Sequence, residues 1–398
     1  MTKHILERLA QTNSEGEIWW DSSPLTYPSW KAETLAKAPD AKRAEWTEQL
    51  TRMFDAGTIQ QTGTMGFRGV TTNPPLCLQA IQLDPALWTA RIKDIAAGNP
   101  GLDVEGVYWA VYLDLVKQGS AAIAPVYKAS GGKYGMLSGQ VDPRFVTDGE
   151  RMLAQGLSIA AMGENVMVKL PGSKEGYEVL EELTARGIST NNTTSFTVSQ
   201  YSRCMAAVTA GLQRARAAGV DVSKHRSVIT HMSSRLAQLG DWQKEAKARG
   251  IELSLMELRD GEEAVLKRIY WYGKSINHPS KMLQCSMRVE KDDNGKMVSR
   301  HVQDFAGSDM VYTCPPSYIL GLMEAEDELE FDAKAIEREP NQKSLEKLLK
   351  LPSFRQAYEF EGMKPDEFSR YGAFQSTATE FAAATRQTVD FVRMVVEG

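Results

Sequence analysis

Short apolar runs alternate along the chain with longer stretches whose apolar residues recur at helical spacing. Eight runs carry the strand-like pattern: Glu17–Asp21, Arg68–Thr72, Met136–Val141, Val166–Leu170, Ile188–Asn192, Ser227–Met232, Met282–Met287 and Asp309–Thr313. Between them the pattern predicts helices over Ala41–Ala56, Glu105–Lys117, Gly176–Arg186, Gln200–Ala218 and Gly261–Tyr272. Gly57, Gly119, Gly187, Gly219 and Gly250 stand where a glycine ends a helix. Strands alternating with helices imply a parallel sheet, and eight of them imply an α/β protein of the closed (β/α)8 barrel type. The alternative is a doubly wound open sheet, but no G-x-G-x-x-G follows the first strand.

The chain reads as one domain over residues 1–398, with a barrel core at about 16–320 and a C-terminal helical extension over 321–398. The link between the first two strands holds two helices between Tyr27 and Gly57. The link from Pro74 to Tyr134 is longer still. Glu324–Lys350 is charged and reads as exposed helix. In the tail Phe374–Val396, Phe381, Val389, Val392 and Val395 lie near helical spacing, which predicts a helix docked on the barrel.

The strand ends are unusually polar. They carry Asp21, then Thr71 and Asn73, then Gln140, Lys169, Asn191 with Thr193, Thr230 with Arg235 just beyond, and Ser286 with Arg288. A barrel core is filled by branched apolar side chains. A buried polar group left unpaired is unfavourable by about 1–3 kcal/mol, so these ends together call for a polar cavity open to water or ligand. Lys169 sits inside the apolar run Val166–Leu170, directly before Pro171-Gly172-Ser173. Burial disfavours its ammonium form, and a neutral lysine attacks carbonyls to form a Schiff base. Asp21 can then exchange protons with the substrate, Asn73, Asn191 and Thr193 can bond hydroxyls, and Arg235 and Arg288 suit a phosphate. Singly, each has an ordinary explanation: a snorkelling lysine at a strand end, an aspartate capping a turn with Ser22 and Ser23, an Asn-Pro turn, a surface ion pair.

Composition narrows the class. The 398 residues carry a net charge of -5, with 42% hydrophobic and 24% charged residues, so nothing marks a nucleic-acid surface. No apolar stretch reaches the roughly 18 residues of a membrane span. The start, MTKHILERLAQ, lacks an apolar leader. Cys77, Cys204, Cys285 and Cys314 are scattered without a C-x-x-C, as expected of free thiols in a reducing, cytoplasmic setting.

Two segments, GVTTNPPL (69–76) and NVMVKLPGSKEGYEVLEELTARGISTNNTTSFTVSQY (165–201), resemble the signatures of the transaldolase family. SGQVDPR (138–144) resembles its S-x-E-V-D-P-R, and EIWWDSSPL (17–25) its W-L-D-x-L-S start. The resemblance runs from about residue 16 to 316. It implies a (β/α)8 barrel, a Schiff-base lysine at Lys169 and a catalytic aspartate at Asp21. It further implies hydroxyl-binding residues at Thr71 and Asn73, and a water-holding threonine at Thr193. Thr230 with Arg235, and Ser286 with Arg288, match its phosphate-binding positions. The implied substrates are sugars or sugar phosphates such as fructose 6-phosphate, sedoheptulose 7-phosphate and erythrose 4-phosphate. The implied enzyme needs neither metal nor organic cofactor. Family habit and the exposed helices fit a homodimer.

Two departures from that pattern stand out. The family's strand-three glutamate is Gln140 here, as in the related fructose-6-phosphate aldolases; a glutamine holds a water but does not take its proton at neutral pH. Those aldolases carry a tyrosine, and transaldolases usually a phenylalanine, where this chain has Met232. His231 stands beside it, either as an alternative proton shuttle or, because strand neighbours alternate faces, turned away from the pocket. The expected activity is therefore transfer of a dihydroxyacetone unit, with aldol lysis as the alternative. A non-catalytic sugar-phosphate-binding relative is the third reading.

Overall fold

The structure, a computed structural model, describes residues 2–59 and 66–398. Eight parallel strands close a barrel: β1 (Glu17–Asp21), β2 (Gly69–Thr71), β3 (Met136–Gln140), β4 (Val166–Pro171), β5 (Thr190–Ser195), β6 (Ser227–Met232), β7 (Lys281–Cys285) and β8 (Val311–Cys314). Each pairs with its neighbours in sequence, and β8 returns to β1 with Glu17 opposite Val311. The expected (β/α)8 barrel is thus the fold. A two-stranded antiparallel ribbon, Glu290–Lys291 with Met297–Val298, decorates the loop after β7.

All eight expected runs become strands, with shifted ends. The largest shift is at β5, expected over Ile188–Asn192, which starts two residues later and runs on to Ser195. Its register against β6 slips between Asn192 and Ser195, and Thr194 takes a positive φ of 54°. β7 ends at Cys285, so Ser286 and Arg288 lie in the following loop rather than on the strand. The barrel closes tightly at Gly69, where a Cβ would meet the Trp19 ring at 2.4 Å.

Each predicted helix is present, most of them longer than expected. The helix expected to end before Gly119 instead runs Val104–Ala129. Gly119 is inside it because a Cβ there would sit 2.8 Å from Leu137 Cδ1 on β3, so this glycine serves close helix–strand packing. Gly57 falls within a short 3-10 turn, Ala56–Ile59. Gly187, Gly219 and Gly250 do end helices, at φ values of 77°, 72° and 67°. The charged stretch 324–350 is not one helix: it holds a 3-10 turn at Ala335–Glu337 and a short helix, Gln342–Leu348. Pro340 lies between them and cannot donate a helix bond.

The tail forms the helix Gly372–Glu397, as its spacing predicts, with Phe374, Phe381, Val389 and Val392 buried. It packs against the helices Pro74–Leu83, Pro85–Gly98 and Val104–Ala129 and the short turn Pro143–Phe145. That path brings one turn of the tail to the C-terminal ends of the barrel strands.

Candidate active site

A cavity of about 220 Å³ opens at those strand ends. Its wall includes Asp21, Thr71, Asn73, Lys169, Thr230, Arg235, Ser286 and Arg288, so eight of the eleven site residues expected from sequence meet in one place. Strand alternation turns Lys169 inward while Val168 and Leu170 take the opposite face. Lys169 is 5% exposed, and its Nζ donates to the Thr72 carbonyl at 3.2 Å. Burial holds its pKa below the ordinary 10.5, opposed by the Asp21 carboxylate. Asp21 ends β1. Burial holds its pKa above the ordinary 3.8, against the pull of Lys169, the Thr71 hydroxyl and Arg235. The site thus holds an amine and a carboxyl whose proton affinities have been drawn toward each other.

Thr71 Oγ1 lies 2.6 Å from Asp21 Oδ1 and 2.6 Å from Thr313 Oγ1. A hydroxyl has one proton to give. Thr71 gives it to the carboxylate, so Thr313 donates to Thr71, and the pair fixes one oxygen of Asp21. Asn73 does two jobs. Its Oδ1 accepts the Leu76 N–H at 2.9 Å and caps the helix Pro74–Leu83, while the residue still lines the cavity. Its ordinary role is thus a helix N-cap, in extended conformation, rather than the Asn-Pro turn expected.

Gln140, Asn191 and Thr193 do not reach the cavity wall. Gln140 and Asn191 flank Lys169 in register on β3 and β5. Asn191 donates to Ser138 Oγ at 2.9 Å and accepts from Thr230 Oγ1 at 2.7 Å, a polar chain spanning β3, β5 and β6 inside the barrel. Gln140 Oε1 and Thr193 Oγ1 are buried without a protein partner. Polar atoms so placed call for a partner that the protein itself does not supply, such as an ordered water.

Arg235 comes from the short helix Ser233–Leu239 after β6. Its Nη1 and Nη2 donate to the two carboxylate oxygens of Glu380, at 2.5 and 2.9 Å. Its guanidinium also sits 5.8 Å from the centre of the Phe381 ring. Arg288 lies at the cavity mouth, in the loop after β7. Its backbone N–H donates to His301 Nδ1 at 3.1 Å, and His301 Nε2 is 2.9 Å from Glu262. Because Nδ1 accepts there, Nε2 carries the proton and donates to Glu262. Cys285 also lines the cavity, but burial pushes its thiol up to about 12, so it stays protonated. Among the described residues no group of three or more His, Cys, Asp or Glu side chains is arranged to hold a metal ion.

The sequence profile of transaldolase/fructose-6-phosphate aldolase matches residues 53–364. The chain belongs to that family. Relatives in the transaldolase/fructose-6-phosphate aldolase family include "Transaldolase 1" of Streptomyces avermitilis, 33% identical over 208 residues, which are 51% of this chain and 54% of the relative. The transaldolase of Mycobacterium ulcerans is 30% identical over 218 residues, 52% of this chain and 58% of its own. That of Mycobacterium tuberculosis is 31% identical over 206 residues, 51% and 54%. The chain thus spans little more than half the length of the curated relatives it matches.

Within this transaldolase/fructose-6-phosphate aldolase framework, the positions singled out as departures differ in setting. Met232 is on the cavity wall. His231 is turned away: its Nδ1 bonds the Tyr201 phenol at 2.5 Å, and burial holds it near 3 and neutral. Sequence reasoning missed Thr313, which ends an expected strand and was open to view as a hydroxyl at that strand's C-terminal end. It also missed Tyr112, whose phenol grips Gln140, and Glu380, for which no local signal exists.

Proposed function

We propose that this protein is a class I, lysine Schiff-base enzyme that transfers a dihydroxyacetone unit from a ketose to an aldose. The observation that carries the reading is Lys169 and Asp21 buried on one cavity wall, the amine held toward its neutral form and the carboxyl toward its protonated one. Lys169 Nζ attacks the ketone carbon and loses a proton, and the carbinolamine loses water to give an iminium. Asp21, as carboxylate, takes the proton of the hydroxyl on the carbon beyond the bond that breaks. The electron pair of that carbon–carbon bond moves into the iminium, an aldehyde leaves, and a three-carbon enamine stays on Lys169. Addition of the enamine to a second aldehyde, protonation of the new alkoxide by Asp21 and hydrolysis of the iminium complete the transfer.

In this reading Thr71, held by Thr313, fixes Asp21 Oδ1 and leaves Oδ2 to exchange the proton, and Asn73 offers its amide to a substrate hydroxyl. Thr193 and Gln140 hold the water that enters and leaves. A second reading, aldol lysis, is favoured by Gln140, which carries an acceptor oxygen beside Lys169 but no group that takes a proton at neutral pH. Acceptor dependence separates the two. Transfer requires that aldehyde release from a ketose rise with added acceptor aldehyde, whereas acceptor-independent release of free dihydroxyacetone at the same rate establishes lysis. The free, buried cysteines accord with work in a reducing compartment such as the cytoplasm. A homodimer completes the reading on family habit, and sedimentation measures it.

A further inference from the structure

The ion pair between Arg235 and Glu380 stands where the cavity meets solvent: both residues line the cavity, with the Arg235 side chain mostly buried and that of Glu380 about half exposed. Glu380 arrives from 145 residues away, on the C-terminal helix. The pairing is bidentate, and the geometry is the same fork with which an arginine grips a phosphate. Phe381, the next residue, is 2% exposed and packs against the same guanidinium, so the helix turn that carries Glu380 is anchored there. Both partners are held in their charged forms. The Arg235 hydrogen bonds hold the Glu380 carboxyl below its ordinary value, and Glu380 outweighs the burial that opposes the charge of Arg235.

We propose that Glu380 is a specificity-determining residue, setting this cavity for substrates whose far end is an uncharged polyol rather than a phosphate dianion. The proposal rests on the Schiff-base reading for its chemistry but not for its test. A phosphate docked on Arg235 must displace or face a carboxylate already seated on two of the guanidinium N–H groups, so it competes for those donors with a negative charge of the protein's own. Without Glu380, the basic groups of the wall, Arg235, Arg288 and Lys169, would face a single carboxyl, Asp21. With it, a second carboxylate offsets one of the arginines. A hydroxyl-bearing chain end suits such a wall: Glu380 retains acceptor lone pairs, Arg235 retains further N–H groups, and Ser286 and Asn73 add polar contacts. Arg288 at the mouth then contributes donors rather than half of a phosphate clamp.

Two measurements test this. Inorganic phosphate is titrated calorimetrically into the full-length wild type and the Glu380→Gln variant, which keeps the side chain's size and a hydrogen-bond acceptor. Separately, kcat/KM for aldehyde release from fructose and from fructose 6-phosphate is measured on both proteins. The expected result is phosphate binding at least tenfold tighter in Glu380→Gln, with the wild type preferring fructose and the variant shifted at least tenfold toward the phosphate ester. Equal phosphate affinity in the two proteins overturns the proposal. So does a wild type that prefers the phosphate ester tenfold or more, and this comparison stands even if the variant does not fold. If neither ketose turns over and neither leaves an adduct on Lys169, the Schiff-base reading falls, while the phosphate titration still decides the role of Glu380.

Discussion

The phenol of Tyr112 bridges both backbone polar groups of Gln140, donating to its carbonyl at 2.7 Å and accepting from its N–H at 2.6 Å. Tyr112 lies on the helix Val104–Ala129 outside the barrel, and Gln140 is the last residue of β3, in register with Lys169. One hydroxyl therefore fixes the strand end beside the reactive amine. Tyr112→Phe leaves two buried backbone groups unpaired. The expected outcome is a loss of about 1–3 kcal/mol in stability by denaturant titration. A looser Gln140 adds a drop in kcat with little change in KM.

Thr71→Val removes the hydrogen bond to Asp21 Oδ1 while keeping the side-chain volume. A hydrogen bond to a charged group contributes about 1.5–3 kcal/mol, so kcat/KM is expected to fall about ten- to hundredfold. The bond also favours the ionised carboxyl. Its loss moves the Asp21 pKa further up, and the acid limb of the pH–rate profile shifts to higher pH with it. A profile that falls in height without shifting assigns Thr71 to substrate contact alone.

The two buried groups leave opposite marks on stability. Lys169 has a folded pKa below its unfolded one, so between that value and 10.5 the unfolded chain holds a proton the folded chain has lost, and stability rises with pH. Asp21 has a folded pKa above 3.8, so between 3.8 and that value the folded chain holds the extra proton, and stability falls as pH rises. Lys169→Met is expected to remove the alkaline rise and Asp21→Asn the acidic fall. Unfolding free energies over a pH series, compared with the wild type, check both.

Gln140→Glu places a proton acceptor beside Lys169 at a buried position whose side-chain oxygen has no protein partner. The expected outcome is faster imine formation and release, seen as a severalfold higher transfer rate at unchanged KM. A rate that falls with the substitution marks the glutamine as required by this chain's own chemistry.

The barrel was open to view in the sequence because most strands are short apolar runs bounded by helical spacing. The end of β5 was not, because Thr193, Thr194 and Ser195 look like a polar turn; Thr193 pairs with Pro171 of β4 and Ser195 with His231 of β6, on either side of a register slip. Gly119 misled for a different reason: its lack of a side chain serves packing against Leu137, a contact between elements that no local pattern records. The cavity residues were legible because polar side chains at barrel strand ends need a shared solvent. Glu380 was hidden, since its partner Arg235 is 145 residues away and its own surroundings read as an ordinary amphipathic helix.

The central claim is that Lys169 forms the covalent intermediate. Dihydroxyacetone is incubated with the wild type and with Lys169→Met, the imine is reduced with borohydride, and intact mass and peptide mapping locate the product. The account predicts one three-carbon unit on Lys169 in the wild type and none in the variant. An unmodified wild-type chain, or equal labelling of another lysine in both proteins, contradicts it.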